Sequence, residues 1–213
     1  MRINDECINE YIRGTLKKST GLMREMEQYA RANHVPIIMP ETARLLVVLG
    51  RLLQPAKILE IGTAIGYSSI LLAGILAPGG RIDTIERQEE RVLKARENIK
   101  KAGLDETIGI IAGEAEEVLE CLDKKYDMIF LDAAKGQYPE LLPDCLRMLR
   151  KGGLLVSDNV LYKGMVAGEE IAPRKTRTIV NRMREYLDAL CGDPSLDTSV
   201  LPVGDGVAIT YKR

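Results

Sequence analysis

Apolar residues recur along this chain with two different periods, and the change between them falls just before Lys57. Over the first fifty residues the spacing is helical. Ile8, Tyr11, Ile12 and Leu16 share one face, and Leu22, Met23, Met26 and Tyr29 share another. Pro36 and Pro40 interrupt the pattern before a third helix predicted over Thr42–Leu53. From Lys57 short apolar runs alternate with amphipathic stretches. The runs KILEIG, RIDTIE, Ile108–Ala112, DMIFLD and LLVSD read as buried strands. Between them lie predicted helices over Tyr67–Leu76, Glu89–Ala102, Ala115–Leu122 and Tyr138–Leu149. Pro78-Gly79-Gly80 closes the first of these, Gly103 the second, and Lys151-Gly152-Gly153 the last. Strands alternating with helices imply right-handed crossovers and a parallel α/β sheet covered on both faces. The end of the chain differs. A helix over Thr178–Cys191 is followed by strands near Thr198–Pro202 and Val207–Tyr211. Val203-Gly204-Asp205-Gly206 joins these two as a hairpin.

The length of 213 residues suits one domain, with residues 1–55 as helices and 56–213 as the sheet-bearing core. Lys plus Arg (30) nearly cancel Asp plus Glu (31), so no global field favours nucleic acid or an anionic membrane; a local patch would be needed. No apolar run approaches the ~20 residues that span a bilayer. The polar start MRINDECINE is not a secretory signal. Cys7, Cys121, Cys145 and Cys191 form no C-x-x-C pair and read as reduced thiols of a cytoplasmic protein. His34 is the sole histidine, which argues against chemistry built on histidine pairs. It reads as a side chain packed near a cofactor lid, because no partner base or carboxylate lies close in sequence.

In an open parallel sheet, ligands bind beyond the carboxyl ends of the strands. After the first strand comes Glu60-Ile61-Gly62-Thr63-Ala64-Ile65-Gly66-Tyr67-Ser68. Gly62 permits an unusual turn and Gly66 a close backbone approach. The pattern E-x-G-x-x-x-G lacks the third glycine of the dinucleotide fingerprint, which cradles a pyrophosphate. It suits a nucleoside cofactor without phosphates, such as S-adenosylmethionine. Glu86 ends the second strand, where an acidic side chain grips ribose hydroxyls, and Gly113-Glu114 ends the third, beside an adenine. Each feature alone reads as an ordinary turn or surface charge; their common position at strand ends favours a cofactor site.

The fourth strand ends in Asp132-Ala133-Ala134-Lys135 and the fifth in Ser157-Asp158-Asn159. A lone Asp-Asn pair usually just caps a turn. With Asp132 at a neighbouring strand end, two carboxylates and an amide offer hard oxygen ligands for Mg²⁺ or Mn²⁺. Beside a cation and away from water, the charged form of a lysine is disfavoured, so Lys135 is placed to accept a proton.

EIGTAIGYS, TIER, LDAAKGQY, SDNVLYKG and PVGDGVAI together resemble the cation-dependent O-methyltransferases of the catechol and caffeoyl-CoA type. They are most similar to the bacterial tRNA 5-hydroxyuridine methyltransferases. The resemblance spans nearly the whole chain. It implies a Rossmann-like class I S-adenosylmethionine methyltransferase fold, with a seven-stranded, mostly parallel sheet, a C-terminal hairpin and N-terminal helices. It implies that Asp132, Asp158 and Asn159 bind Mg²⁺ or Mn²⁺ and that Lys135 sits beside the reacting hydroxyl. Glu60, Gly62, Ser68, Glu86, Gly113, Glu114 and Asp132 would hold the cofactor, with Val35 and Ile38 closing over it. Glu114 departs from the Asp or small residue usual in the family, which weakens its adenine role. A homodimer is implied as well.

The acceptor rests on other clues. The resemblance points to tRNA; a small catechol-like molecule is the alternative, because 5-hydroxyuracil and catechol offer the same pair of adjacent oxygens. Arg174, Lys175 and Arg177 cluster at the start of the last long helix, where cations oppose the helix dipole. Arg182, Arg184, Lys163 and Lys17-Lys18 extend a patch that would contact RNA phosphates. Glu169, Glu170 and Glu185 flank it, as they would an ordinary solvated face. Tyr138 and Tyr162 either stack a planar acceptor or pack internally. The more distant alternatives are an NAD-dependent oxidoreductase and a non-catalytic binding protein.

Overall fold

In the computed structural model, residues 3–168 and 173–213 are described. Three helices come first: α1 (Glu6–Thr15), α2 (Gly21–Ala32) and α3 (Pro40–Leu53). The alternating core follows as β1 (Lys57–Ile61), α4 (Tyr67–Ala73), β2 (Arg81–Glu86), α5 (Glu89–Lys101), β3 (Ile108–Ala112), α6 (Ala115–Cys121), β4 (Tyr126–Leu131), α7 (Tyr138–Met148) and β5 (Leu149–Asp158). Helix α8 (Arg177–Gly192) and the hairpin β6 (Leu196–Leu201) and β7 (Val207–Lys212) complete it. The seven strands lie in the order β3-β2-β1-β4-β5-β7-β6. β1 to β5 are parallel, and β7 inserts antiparallel between β5 and β6. This is the seven-stranded, mostly parallel Rossmann-like sheet that the sequence predicts.

The strand alternation builds two cores. Leu59, Ile129 and Leu155 point to the face covered by α6, α7 and α8, where they meet Leu119, Leu141 and Met183. Their neighbours Ile58, Met128, Phe130 and Val156 point to the opposite face, against Leu46, Ile65, Leu72 and Ile99. A strand turns successive side chains to opposite faces, so strands buried on both sides read as continuous apolar runs.

Two boundaries differ from expectation. Pro40 does not break the chain ahead of α3; it occupies the first turn, where its missing N–H costs nothing. Lys151-Gly152-Gly153 is not a separate turn, because β5 already begins at Leu149. Tyr126 pairs with Leu149 and Met128 with Leu154, so the intervening residues of β5 form a bulge at which Gly152 takes φ +77°. Among the described residues no helix is long and apolar enough to cross a membrane.

Leu59 is fully buried and Leu93 is 59% exposed. Leu59→Ala is expected to cost roughly 2–5 kcal/mol in urea unfolding, and Leu93→Ala under about 0.5 kcal/mol. Equal losses would contradict this division of the core.

Candidate active site

The sheet order changes direction between β1 and β4, and the residues just beyond their ends come close together. A Cβ on Gly62 would lie 2.3 Å from the Asp132 carbonyl oxygen, and the backbone there holds φ +109°. Only glycine fits both demands. The Gly62 and Thr63 amides donate to the Ile85 carbonyl, and the Asp132 amide to that of Ile61 (2.9–3.1 Å). Three strand ends are thereby tied at one mouth, which opens into a cavity of about 730 Å³.

Glu86 is buried at the end of β2, and its carboxylate is fixed by backbone. Oε2 accepts from the Ala64 amide (2.9 Å) and Oε1 from Arg87 and Gln88 (3.1 and 3.0 Å). Gly113 lines the same cavity at φ +157°, where a Cβ would meet Val118 at 2.9 Å. Glu114 also lines it and faces Arg87 Nη1 at 3.5 Å.

Across the mouth stand Asp132, Lys135, Asp158 and Asn159, all lining the cavity. Lys135 Nζ lies 2.5 Å from Asp132 Oδ1. Asp158 is almost wholly buried; its Oδ1 accepts from the Asn159 amide at 2.8 Å. Burial, and then the neighbouring charge of Asp132, push its carboxyl up to about 7. Beneath both strand ends, the buried Tyr138 hydroxyl sits 2.9 Å from the carbonyls of Leu131 and of Asp158. A hydroxyl has one proton to donate, so the two carbonyls share it. Tyr138 therefore packs internally, edge-on to Tyr186 at 5.2 Å, and does not stack an acceptor.

This arrangement suits hard-cation chemistry. Two carboxylates crowd together with too little positive charge between them, and an amide stands beside them. Among the described residues there is no group of three or more His, Cys, Asp or Glu that could hold a metal, so any such site depends on Asn159 as well as the two aspartates. The profile of the O-methyltransferase family matches residues 12–213. The chain belongs to that family. It is 33% identical to a catechol O-methyltransferase of Niastella koreensis, over 98% of this chain and 97% of that protein. It is 30% identical to a caffeoyl-CoA O-methyltransferase of Populus kitakamiensis, over 79% and 75% of the two chains. The crystal structure of the O-methyltransferase TomG from Streptomyces achromogenes, in complex with S-adenosylmethionine, superposes with a TM-score of 0.85. It is 29% identical and covers 97% of this chain and 96% of its own.

Other predicted residues of this methyltransferase fall outside the cavity. Ile38 is buried in the core and Val35 packs against it; Pro36, Ile37 and Met39 line the cavity in their place. Glu60 and Ser68 are buried but do not line it. Glu60 Oε2 accepts from Ser69 and Thr84, while Oε1 has no partner, and burial raises its carboxyl above the usual range. His34 is exposed at φ +54° just past α2 and does not line the cavity. Arg174, Lys175 and Arg177 are exposed and do not line it either, whereas Lys163 does. Arg182 pairs with Glu140, and Arg184 donates to the carbonyls of Val166 and Gly168, so both serve the fold and do not extend an RNA patch. Glu169 and Glu170 lie outside the described residues.

Sequence reasoning missed Asp205 and Arg13, which both line the cavity. Asp205 sits in the hairpin turn and accepts from the Lys163 amide at 2.5 Å. Because β7 runs antiparallel to β5, that turn returns to the same mouth, a consequence readable from the hairpin itself. Arg13 reaches the mouth from α1 through Glu41 in α3, a contact across 28 residues with no local signal.

Two outcomes follow from this geometry. Tyr138→Phe removes the donor shared by two carbonyls and is expected to cost about 1–3 kcal/mol in urea unfolding; an unchanged midpoint would mean the hydroxyl ties nothing. The Asp158 carboxyl is raised from 3.8, so the folded protein holds this proton longer than the unfolded chain. Stability from that proton is present below pH 3.8 and lost as pH rises to about 7. In chelator, Asp158→Asn should melt higher than the parent by roughly 5 °C at pH 8, with a smaller gap at pH 5. A gap independent of pH would disprove the burial argument.

Proposed function

We propose that this protein is an S-adenosylmethionine-dependent O-methyltransferase whose acceptor is a small molecule with two adjacent oxygens, of the catechol type. A divalent cation, Mg²⁺ or Mn²⁺, takes part. The observation that carries the reading is the meeting of Asp132, Lys135, Asp158 and Asn159 with Glu86, Gly62 and Gly113 around one cavity. Its volume of about 730 Å³ suits a cofactor together with a compact acceptor. The similarity to a catechol and a caffeoyl-CoA O-methyltransferase along most of the chain supports the small acceptor.

Each side chain has a part that its position supports. Glu86, its carboxylate already oriented by three backbone amides, accepts from ribose hydroxyls. Gly62 and Gly113 leave room for close approach of the cofactor, and Pro36, Ile37 and Met39 exclude water from its exposed side. Asp132, Asp158 and Asn159 would hold the cation. When bound, the cofactor supplies an electrophilic methyl group, and the cation supplies positive charge that favours an acceptor oxyanion. Lys135 takes up the acceptor hydroxyl's proton at Nζ, a role open only to its neutral amine, once Nζ has left Asp132 and released the proton it holds in that ion pair. Most of the rate gain comes from holding the two reactants in line. Four free thiols support a reducing, cytoplasmic setting, and the exposed apolar side chains of Ile8, Tyr11, Val48 and Leu52 support a homodimer.

A second reading, methylation of 5-hydroxyuridine at the tRNA wobble position, uses the same pair of oxygens. The observation in its favour is a group of cations, Lys17, Lys18, Arg24 and Arg44, with no ion pair among the described residues. Labelled methyl transfer with Mg²⁺ to catechol, and separately to tRNA bearing 5-hydroxyuridine, decides between the two. Transfer to catechol is the expected result. Transfer to tRNA alone would replace it with the second reading, and transfer to neither would overturn both. Lys135→Met should lower kcat by roughly 10²–10⁴-fold while leaving S-adenosylhomocysteine binding intact. Full activity in that variant would remove the proton role.

A further inference from the structure

A second concavity, of about 470 Å³, adjoins the catalytic one, and Arg13 lines both. Five cations surround it: Arg13, Lys17, Lys18, Arg24 and Arg44. They come from separate elements. Arg13 is on α1, Lys17 and Lys18 on the connector to α2, Arg24 on α2 and Arg44 on α3. The cluster is therefore created by tertiary packing and is not the solvated stripe of a single helix.

The carboxylates nearby are already committed. Among the described residues Glu27 is the one acidic side chain lining the concavity; it accepts from Ser19 Oγ at 2.5 Å and from the Tyr67 hydroxyl at 2.7 Å. Burial, and then Glu27 itself, push that hydroxyl up to about 12, so it stays protonated and donates. Glu41 is spent on Arg13, which donates from Nε at 3.1 Å and from Nη2 at 2.8 Å. Among the described residues Lys17, Lys18, Arg24 and Arg44 have no ion pair. Single cations without an ion pair, such as Lys57 and Lys100, occur elsewhere on the surface; what sets this group apart is that its members line one concavity. Four cations around a concavity that holds one carboxylate, Glu27, outnumber it and leave a net positive potential over it. Leu16, Val47 and Leu71 supply apolar wall between them.

We propose that this concavity is a binding subsite for phosphate esters. Several cations around a partly apolar hollow fit a multiply charged anion carried on an organic body. Arginine forks match phosphate geometry, while lysines add mobile point charges. The wall shared through Arg13 would let such a ligand lie across into the catalytic cavity. The inference rests on this charge and shape and not on which acceptor is methylated.

The test is calorimetric titration of the intact protein with tripolyphosphate at low salt. Saturable binding at one site per chain is expected. Lys17→Gln/Lys18→Gln/Arg44→Gln should weaken it by roughly tenfold or more, with S-adenosylmethionine affinity unchanged. Lys57→Gln/Lys100→Gln, which removes exposed charge elsewhere, should have no effect. Absence of saturable binding, or equal loss in both variants, would overturn the proposal. A decameric oligouridylate identifies the source of the phosphate. If the subsite reads a nucleic-acid backbone, the oligomer binds with a log–log salt slope that falls by about two in the triple variant. If it reads a small phosphorylated ligand, tripolyphosphate binds and the oligomer does not.

Discussion

Two carboxylates stand side by side at the mouth of the sheet, and the rest of the molecule is arranged to make that tolerable. Asp132 and Asp158 end adjacent parallel strands, so their proximity follows from the β4–β5 register, with Leu131 opposite Ser157. Their repulsion is partly relieved by Lys135 on one side, and together with burial it raises the Asp158 carboxyl on the other. The strand ends themselves are held by the buried Tyr138 hydroxyl, which touches a carbonyl from each. Like charges kept together in this way are the electrostatic basis of the proposed cation site.

The loop after Asp158 is held by a second restraint. Asn159, Tyr162 and Lys163 all take positive φ, which non-glycine residues adopt only at a cost. The hairpin turn between β6 and β7 supplies the compensation. Val160 donates to the Gly206 carbonyl, Leu161 to the Asp205 carbonyl and the Lys163 amide to the Asp205 carboxylate. Gly206 permits this contact, since a Cβ there would lie 2.4 Å from the Leu161 side chain. The antiparallel placement of β7 thus fixes the orientation of Asn159, and the mouth is closed by two elements far apart in sequence.

Much of this is legible in the sequence. Strands buried on both faces produce unbroken apolar runs, and glycine or an acidic residue at the end of each run marks the mouth. Gly62, Glu86, Gly113, Asp132 and Asp158 were all readable in that way. What was not readable has a common cause. Ile37 and Ile38 are chemically equivalent, and only the direction of an extended segment packed under α3 decides which of them enters the core. Tyr138 carries no local sign that its hydroxyl bridges two carbonyls. The glycines of Lys151-Gly152-Gly153 signal a turn equally well whether they end a helix or bulge a strand. Arg182 and Arg184 look like free cations until α8 is laid against the loops whose carbonyls they satisfy.

Helix α1 contributes no buried residue. Its own sequence promises only an amphipathic helix, yet Glu6, Asn9 and Arg13 line the cavity at the strand ends. It is attached by a few polar contacts, chiefly Arg13 to Glu41 and the Asn4 amide to the Pro202 carbonyl. A helix held by ion pairs and hydrogen bonds, with little apolar burial, gains little from cooperative packing and opens at low free-energy cost. The strand ends, tied to one another by the Gly62, Thr63 and Asp132 amides, are the firmly held part of the cavity wall, and α1 is the loosely held part.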